Sequence, residues 1–268
     1  MDFGLDDKVA AVAAASSGLG FAVALELARE GAAVAICSRG RERVETAVRA
    51  IQSDPVVARR GSKVVGVTAD LASPHGPSEF VAHAAKELGR VDILIANNGG
   101  PASGRASSLD EAAWKGAFDL TFQSASRLVS AALPGMLGRK WGRIIFVTSV
   151  SVKQPIPELA ASSAMRSAVV GYAKCLSDEV ASSGVTVNCV APGSTATERL
   201  EALLLRRALA RGVDINVVRE EEASRIPVGR IGRPDEFAAA VTFLASARAS
   251  FITGVVLPID GGVVRSLS

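Results

Sequence analysis

The first residues in this 268-residue chain with chemistry in their types and spacing are Ala13-Ala14-Ala15-Ser16-Ser17-Gly18-Leu19-Gly20. They end an all-apolar run, Val9–Ala15, and lead into a segment of helical spacing, Phe21–Glu30, with Gly31 as a fitting C-cap. A glycine at 18 lets the backbone come close to a ligand, and one at 20 lets the helix pack near the strand before it. The free N–H groups at the helix start attract a diphosphate. The same run would also make an ordinary tight turn, so both uses stay open. A second candidate is Ser38-Arg39, at the end of the next apolar run. Sites that read a ribose 2′-hydroxyl place an acid there, whereas an arginine suits a 2′-phosphate. Arg39 would equally serve as a solvated surface cation beside Arg41 and Arg43.

These residues need strands and helices to hold them, and the chain alternates the two. Strand-like runs are Val9–Ala15, Ala32–Cys37, Lys63–Thr68, Asp92–Asn97, Arg143–Ser149, Val185–Val190 and Val255–Ile259. Helical spacing covers Phe21–Glu30, Arg41–Ser53, Pro77–Leu88, Asp110–Arg139 (with Pro134 near its end), Leu159–Ser182 and Pro234–Ser246, and a charged helical stretch covers Thr197–Arg225. This order predicts an α/β fold: a Rossmann-type, doubly wound parallel sheet of about seven strands with helices on both faces. No linker or repeat divides the chain, so residues 1–268 read as one domain. Ligands in such sheets bind beyond the C-terminal strand ends.

Composition narrows the function classes. Hydrophobic residues make up 49% and charged residues 21%, enough for a sizeable core and too little charge for disorder. The net charge of +3 is spread without a basic block, which argues against nucleic-acid binding. No apolar run approaches the roughly 18 residues of a membrane span. The start, MDFGLDDK, is acidic and lacks a hydrophobic signal region, so a cytoplasmic protein is expected. Cys37, Cys175 and Cys189 form neither a metal spacing nor a disulfide framework, His75 and His83 lie in a polar stretch, and no metal site is expected.

Taken in order, the motifs resemble those of the short-chain dehydrogenases/reductases over roughly residues 5–262, and most closely the 3-oxoacyl-acyl-carrier-protein reductase type. The loop at 13–20 is similar to that family's Thr-Gly-x-x-x-Gly-x-Gly loop, with Ala13 for the threonine and Ala14 for the first glycine. If Ala14 takes the tight turn with positive φ, its Cβ costs about 1 kcal/mol. Asp70-Leu71 resembles the adenine-contacting pair, and Asn97-Asn98-Gly99-Gly100 the Asn-Asn-Ala-Gly turn. Asn188 through Pro192-Gly193 resembles the Asn-x-x-x-Pro-Gly segment beside the nicotinamide, and Thr197 falls where a threonine touches the carboxamide. Arg230 through Glu236 and Asp260-Gly261-Gly262 read like the family's C-terminal third. The resemblance implies a dinucleotide held by Ala14, Ser16, Ser17, Gly18, Leu19, Gly20, Ser38, Arg39, Asp70, Leu71, Asn97, Asn98, Gly99, Arg166, Pro192, Gly193, Thr195 and Thr197. With Arg39 present, NADP(H) is expected to be preferred and NAD(H) accepted.

The family reduces carbonyls or oxidises alcohols with a serine, a tyrosine, a lysine four residues after it, and an assisting asparagine. Here Ser149 fits the serine, but Ser162 stands at the tyrosine, Arg166 at the lysine and Thr121 at the asparagine. A phenol titrates near about 10 and an aliphatic hydroxyl is a far weaker acid, while an arginine is effectively always protonated. Tyr172, the only tyrosine, is ten residues past Ser162 and cannot stand in for the missing phenol. Three functions follow. The chain can be an oxidoreductase in which Ser149 and Ser162 bond the substrate oxygen and Lys153 or a water delivers the proton, a chemistry suited to a conjugated enone or an acyl thioester. It can be a nucleotide-binding pseudoenzyme with a regulatory or scaffolding role. It can keep the fold and bind no dinucleotide. Residues 194–229 take the place of the family's substrate lid, and their Leu203-Leu204-Leu205-Arg206-Arg207 and Arg211 would admit an apolar small-molecule substrate with an anionic handle or simply form a solvated amphipathic helix. The family pairs its long helices across a dimer axis. Ala160, Ala161, Ala164, Ala168 and Ala173 would permit that, so a homotetramer or homodimer is expected.

Overall fold

The computed structural model describes residues 2–266. Its strands are β1 (Val9–Val12), β2 (Ala33–Ser38), β3 (Val64–Thr68), β4 (Ile93–Ala96), β5 (Gly142–Val147), β6 (Val185–Pro192) and β7 (Val256–Ile259). They form one parallel sheet in the order β3-β2-β1-β4-β5-β6-β7. Every residue of β1, β4 and β5 is buried, which is why these segments are apolar without alternation, Arg143 in β5 excepted. The strand order reverses between β1 and β4, and that reversal opens the crevice in which such sheets take ligands.

Helices cover both faces. The helices α1 (Gly18–Arg29), α2 (Arg41–Gln52), α3 (Pro55–Arg60) and α10 (Pro234–Ala245) close one core around Leu27, Ile36, Ile51, Ile95 and Phe237. On the other face, α4 (Gly76–Leu88), α6 (Ser124–Arg139) and α7 (Ala160–Val180) pack over Phe80, Leu94, Leu128, Phe146 and Val187. Helices α8 (Glu198–Arg211) and α9 (Ile215–Ser224) carry a small core of their own, Leu200, Leu204, Ala208 and Val218. They are braced by Arg207–Glu222, Arg211–Glu221 and Arg219–Glu201.

Four local departures from the sequence reading have clear causes. The first strand stops at Val12, because the chain turns at Ala14. The expected helix over Asp110–Arg139 is α5 (Glu111–Phe118) joined to α6 by a π-helical turn, Asp119–Gln123. The charged stretch Thr197–Arg225 is two helices, broken where Gly212 takes φ +65° and Asp214 caps α9 by accepting the Asn216 N–H. Helix α3 was not expected, yet its start is explicit: Asp54 accepts the Val56 and Val57 N–H groups, and Pro55 is its first residue. The alanines of α7 divide between buried and exposed positions. Ala161 and Ala173 are buried against the sheet, whereas Ala164 and Ala168 are exposed.

Candidate cofactor and catalytic site

The loop after β1 hangs from its neighbours. The Ala13 N–H donates to Ile95 O, the Ala15 N–H to Cys37 O, and Asn97 Nδ2 to Ala14 O at 3.2 Å. Ala14 takes φ +48°, the left-handed turn that the alanine was expected to resist. Gly18 follows at φ +59°. A Cβ on Gly20 would lie 2.5 Å from Ala14 O and 2.9 Å from both Ala15 Cα and Asn97 Nδ2, so only glycine brings α1 this close to the loop. Ser17 sits extended at the start of α1 and its side chain caps no N–H. The first-turn N–H groups are therefore left to an outside acceptor. Ser16 is half-buried, and Leu19 packs back on the core. These features fit a diphosphate.

At the end of β2, Ser38 Oγ donates to Gly40 O. Arg41 pairs with Glu45, and Arg43 bridges Ser17 Oγ at 3.3 Å and Glu198 at 3.0 Å. Arg39 is exposed and has no ion-pair partner among the described residues. Leu71 is buried, and exposed Asp70 accepts the Ala72 N–H. Burial pushes the Cys37 thiol beneath the loop up to about 12, and the Cys189 thiol likewise, so neither is a thiolate at neutral pH.

The catalytic candidates cluster on β5 and α7. Ser149 follows β5, and its Oγ accepts the Ser151 N–H at 3.1 Å. Ser162 and Arg166 are both buried on one face of α7. Arg166 donates through Nε to Ser162 Oγ at 3.2 Å, through Nη1 to Val147 O at 2.6 Å, and through Nη2 to Asn98 Oδ1 at 3.2 Å. No carboxylate among the described residues pairs with it, and burial, followed by the charge of Arg199, brings its pKa down to about 10. Thr121 lies in the π turn, buried, with Oγ1 unpartnered among the described residues. Lys153 is half-buried after the short turn Val150–Val152, in no ion pair among the described residues. Tyr172 packs edge-on against Phe122 and Phe146 at about 6 Å, and burial raises its pKa.

The residues expected at the nicotinamide end carry structural duties. Asn98 Oδ1 accepts the Gly100 N–H, and a Cβ on Gly193 would meet Asp260 Cα at 2.8 Å. Thr195 Oγ1 donates to Gly193 O, and Thr197 caps α8 by accepting the Leu200 N–H. Pro192 closes β6 beside them. Gly99 exposes its carbonyl to Arg199, a residue the motif reading passed over. Arg199 did leave a signal, since a cation in the first turn of a helix opposes the dipole. A cleft of about 460 Å³ opens between the loops at Arg105 and Glu158 and the α8–α9 pair, lined by Arg207, Arg211, Val218 and Arg225. The described residues hold no cluster fit for a metal ion, and no helix is long and apolar enough to cross a membrane.

Comparison with known proteins places the chain in a family. The short chain dehydrogenase family profile matches residues 8–207. Dehydrogenase/reductase SDR family member 4 of Bos taurus is 34% identical over 98% of this chain and 89% of its own length. The 3-oxoacyl-acyl-carrier-protein reductase of Vibrio cholerae is 35% identical over 97% of this chain and 98% of its own. Among solved structures, L-sorbose reductase from Gluconobacter frateurii, complexed with NADPH and L-sorbose, superposes with a TM-score of 0.93 at 29% identity, covering 100% of both chains.

Proposed function

The chain belongs to the short-chain dehydrogenase family, and on that premise we propose that it is an NADP(H)-dependent oxidoreductase acting on a carbonyl/alcohol or conjugated enone substrate, an acyl thioester among the candidates, with an altered proton donor. The cofactor part rests on the uncapped α1 start, the Ala14 turn and unpaired Arg39, and on the NADPH held by the similar L-sorbose reductase. Gly18, Leu19 and Gly20 would receive the diphosphate, Arg39 and Ser38 the 2′-phosphate, and Asp70 and Leu71 the adenine. Asn97, Asn98, Gly99, Pro192, Gly193, Thr195 and Thr197 would surround the nicotinamide end. The bound cofactor would supply the hydride.

The observation that carries the reaction type is the Arg166 Nε–H donated to Ser162 Oγ. It occupies the serine oxygen as an acceptor, so the hydroxyl proton is left to point elsewhere. Ser162 can donate a hydrogen bond to a substrate oxygen, joined by Ser149. As an aliphatic alcohol it cannot surrender that proton as a phenol can. Arg166 keeps its charge at neutral pH and adds a positive field in a buried setting. Such a site stabilises negative charge on oxygen without protonating it. Substrates that spread this charge, as a conjugated carbonyl does, are served best. Lys153 or a water would protonate carbon later, and buried Thr121 takes the assisting position. A homotetramer or homodimer is the proposed assembly, with exposed Ala164 and Ala168 free to pack against a second copy. Free Cys37, Cys175 and Cys189 suit a cytoplasmic setting.

The test begins with titration by NADPH and NADH, followed by nucleotide fluorescence. NADPH is expected to bind more tightly, and Arg39→Asp to weaken NADPH about ten- to a hundredfold while sparing NADH. Equal losses for both would remove the 2′-phosphate assignment. Turnover of an enone with NADPH, slowed in Ser162→Ala, would support the reaction type. Faster reduction of a simple ketone than of its conjugated analogue would count against it.

A further inference from the structure

Four positive features converge on the crevice between β1 and β4, and neither of the two arginines among them has an ion-pair partner among the described residues. Two are the N-terminal ends of α1 and α8, each a site of partial positive charge. The third is buried Arg166. The fourth is Arg199, in the first turn of α8, whose Nη1 donates to Gly99 O across the crevice. Its guanidinium lies flat on Gly100, where a Cβ would stand only 2.8–2.9 Å from Nη1, Cζ and Nη2. The acidic residues of that same turn are spent elsewhere: Glu198 pairs with Arg43 and Glu201 with Arg219. Thr197, two residues before Arg199, faces the phosphate loop at close range: a Cβ on Gly18 would come into van der Waals contact with its Cγ2 at 3.5 Å. The start of α8 therefore spans from the glycine loop to the β4 turn.

We propose that Arg199 is a lid-borne ligand for the dinucleotide's diphosphate, closing over the anion from the side opposite the α1 N–H groups. The assignment rests on the nucleotide reading above and goes beyond it, since nothing in the loop motif points to residue 199. Arg199 is held by a neutral main-chain carbonyl, and an arginine–phosphate pair is the stronger, often bidentate contact. Burial lowers the pKa of Arg199, and its charge in turn lowers that of Arg166. An anion placed between the two relieves both effects.

The experiment titrates wild type, Arg199→Met and Arg199→Lys with three ligands: NADPH, 2′-phospho-ADP-ribose (diphosphate without nicotinamide) and adenosine 2′-monophosphate (no diphosphate). Arg199→Met is expected to weaken the first two by about ten- to a hundredfold, the scale of a lost hydrogen bond to a charged group, and to leave the third unchanged. Arg199→Lys keeps the charge and is expected to recover most of the loss. Unchanged affinity of Arg199→Met for 2′-phospho-ADP-ribose overturns the proposal alone. A wild-type protein that binds none of the three overturns the nucleotide reading and the proposal with it. Thermal unfolding of each variant separates lost affinity from lost structure.

Discussion

The loop at 13–20 and the α7 turn at 162–166 are the two places where the proposed reading sets this chain apart from the pattern it resembles, and the consequences it assigns them are opposite. In the loop the working groups are backbone N–H groups, and Ala14 reaches the required left-handed turn at φ +48° despite its Cβ. Side chains change there and the geometry survives. In α7 the working groups are side chains, and Ser162 and Arg166 hold the expected helical positions with different chemistry. On the proposed reading, the backbone is kept there and the acid is not. A site built from main-chain donors tolerates substitution up to the limit of steric strain, whereas a site built from side-chain acids has no such tolerance.

The strongest way to break this contrast is to restore the side chains. In Ser162→Tyr/Arg166→Lys the general acid returns, and reduction of an unconjugated ketone is expected to rise by about 10²–10⁴, the usual worth of one positioned acid. The pH profile should change with it. In the parent, the Arg166 guanidinium stays protonated well above neutrality, its pKa brought only to about 10, so rates should be flat from pH 6 to 9. In the double variant the phenol, its pKa lowered by the neighbouring ammonium, should bring a titration into that range, with rates falling as pH rises through it. A double variant that binds NADPH normally and gains nothing would show that something besides the missing acid limits the site.

Next in size is the opposite test, on the backbone side. Gly20→Ala forces a Cβ within 2.5 Å of Ala14 O, a main-chain atom with no room to retreat. A cost of about 1–3 kcal/mol is expected, read as a lower Tm and an NADPH affinity reduced about ten- to a hundredfold. Unchanged nucleotide binding would mean that the close approach of α1 to the loop does not matter.

How far the sequence reveals each region follows the same division. The seven strands and their alternation with helices are legible because burial on both faces leaves β1 and β4 wholly apolar and β5 apolar but for Arg143. The break between α8 and α9 could have been read from Gly212 and Asp214, but a continuous run of charged helix formers hides it. The π turn at Asp119–Gln123 leaves no compositional mark, because it is set by packing against α7. In the site, residue types put forward Ser149, Ser162 and Arg166, but not whether the last two bond to each other, and that bond decides where the Ser162 proton can point. Arg43 and Arg199 escape the motifs altogether. Their roles depend on two chain segments meeting across the crevice, 155 residues apart for Arg43 and Glu198 and 100 for Arg199 and Gly99.

The smallest effect is also the sharpest, because adjacent alanines should respond with opposite signs. Ala14 pays for its left-handed turn, at about 1–2 kcal/mol for an L-residue. Replacing it by glycine removes that strain but loosens the unfolded chain, a loss of about 0.4–1 kcal/mol. Strain relief is the larger quantity, so Ala14→Gly should raise Tm by up to a few degrees and leave NADPH affinity equal or better. Ala13 is fully buried and is not among the positive-φ residues. Ala13→Gly therefore has no strain to release, loses a packed methyl group and should lower Tm. If both variants shift Tm the same way, φ at Ala14 is not the controlling variable. The loop would then owe its shape to the surrounding hydrogen bonds, the one Asn97 Nδ2 donates to Ala14 O and the one Cys37 O accepts from the Ala15 N–H.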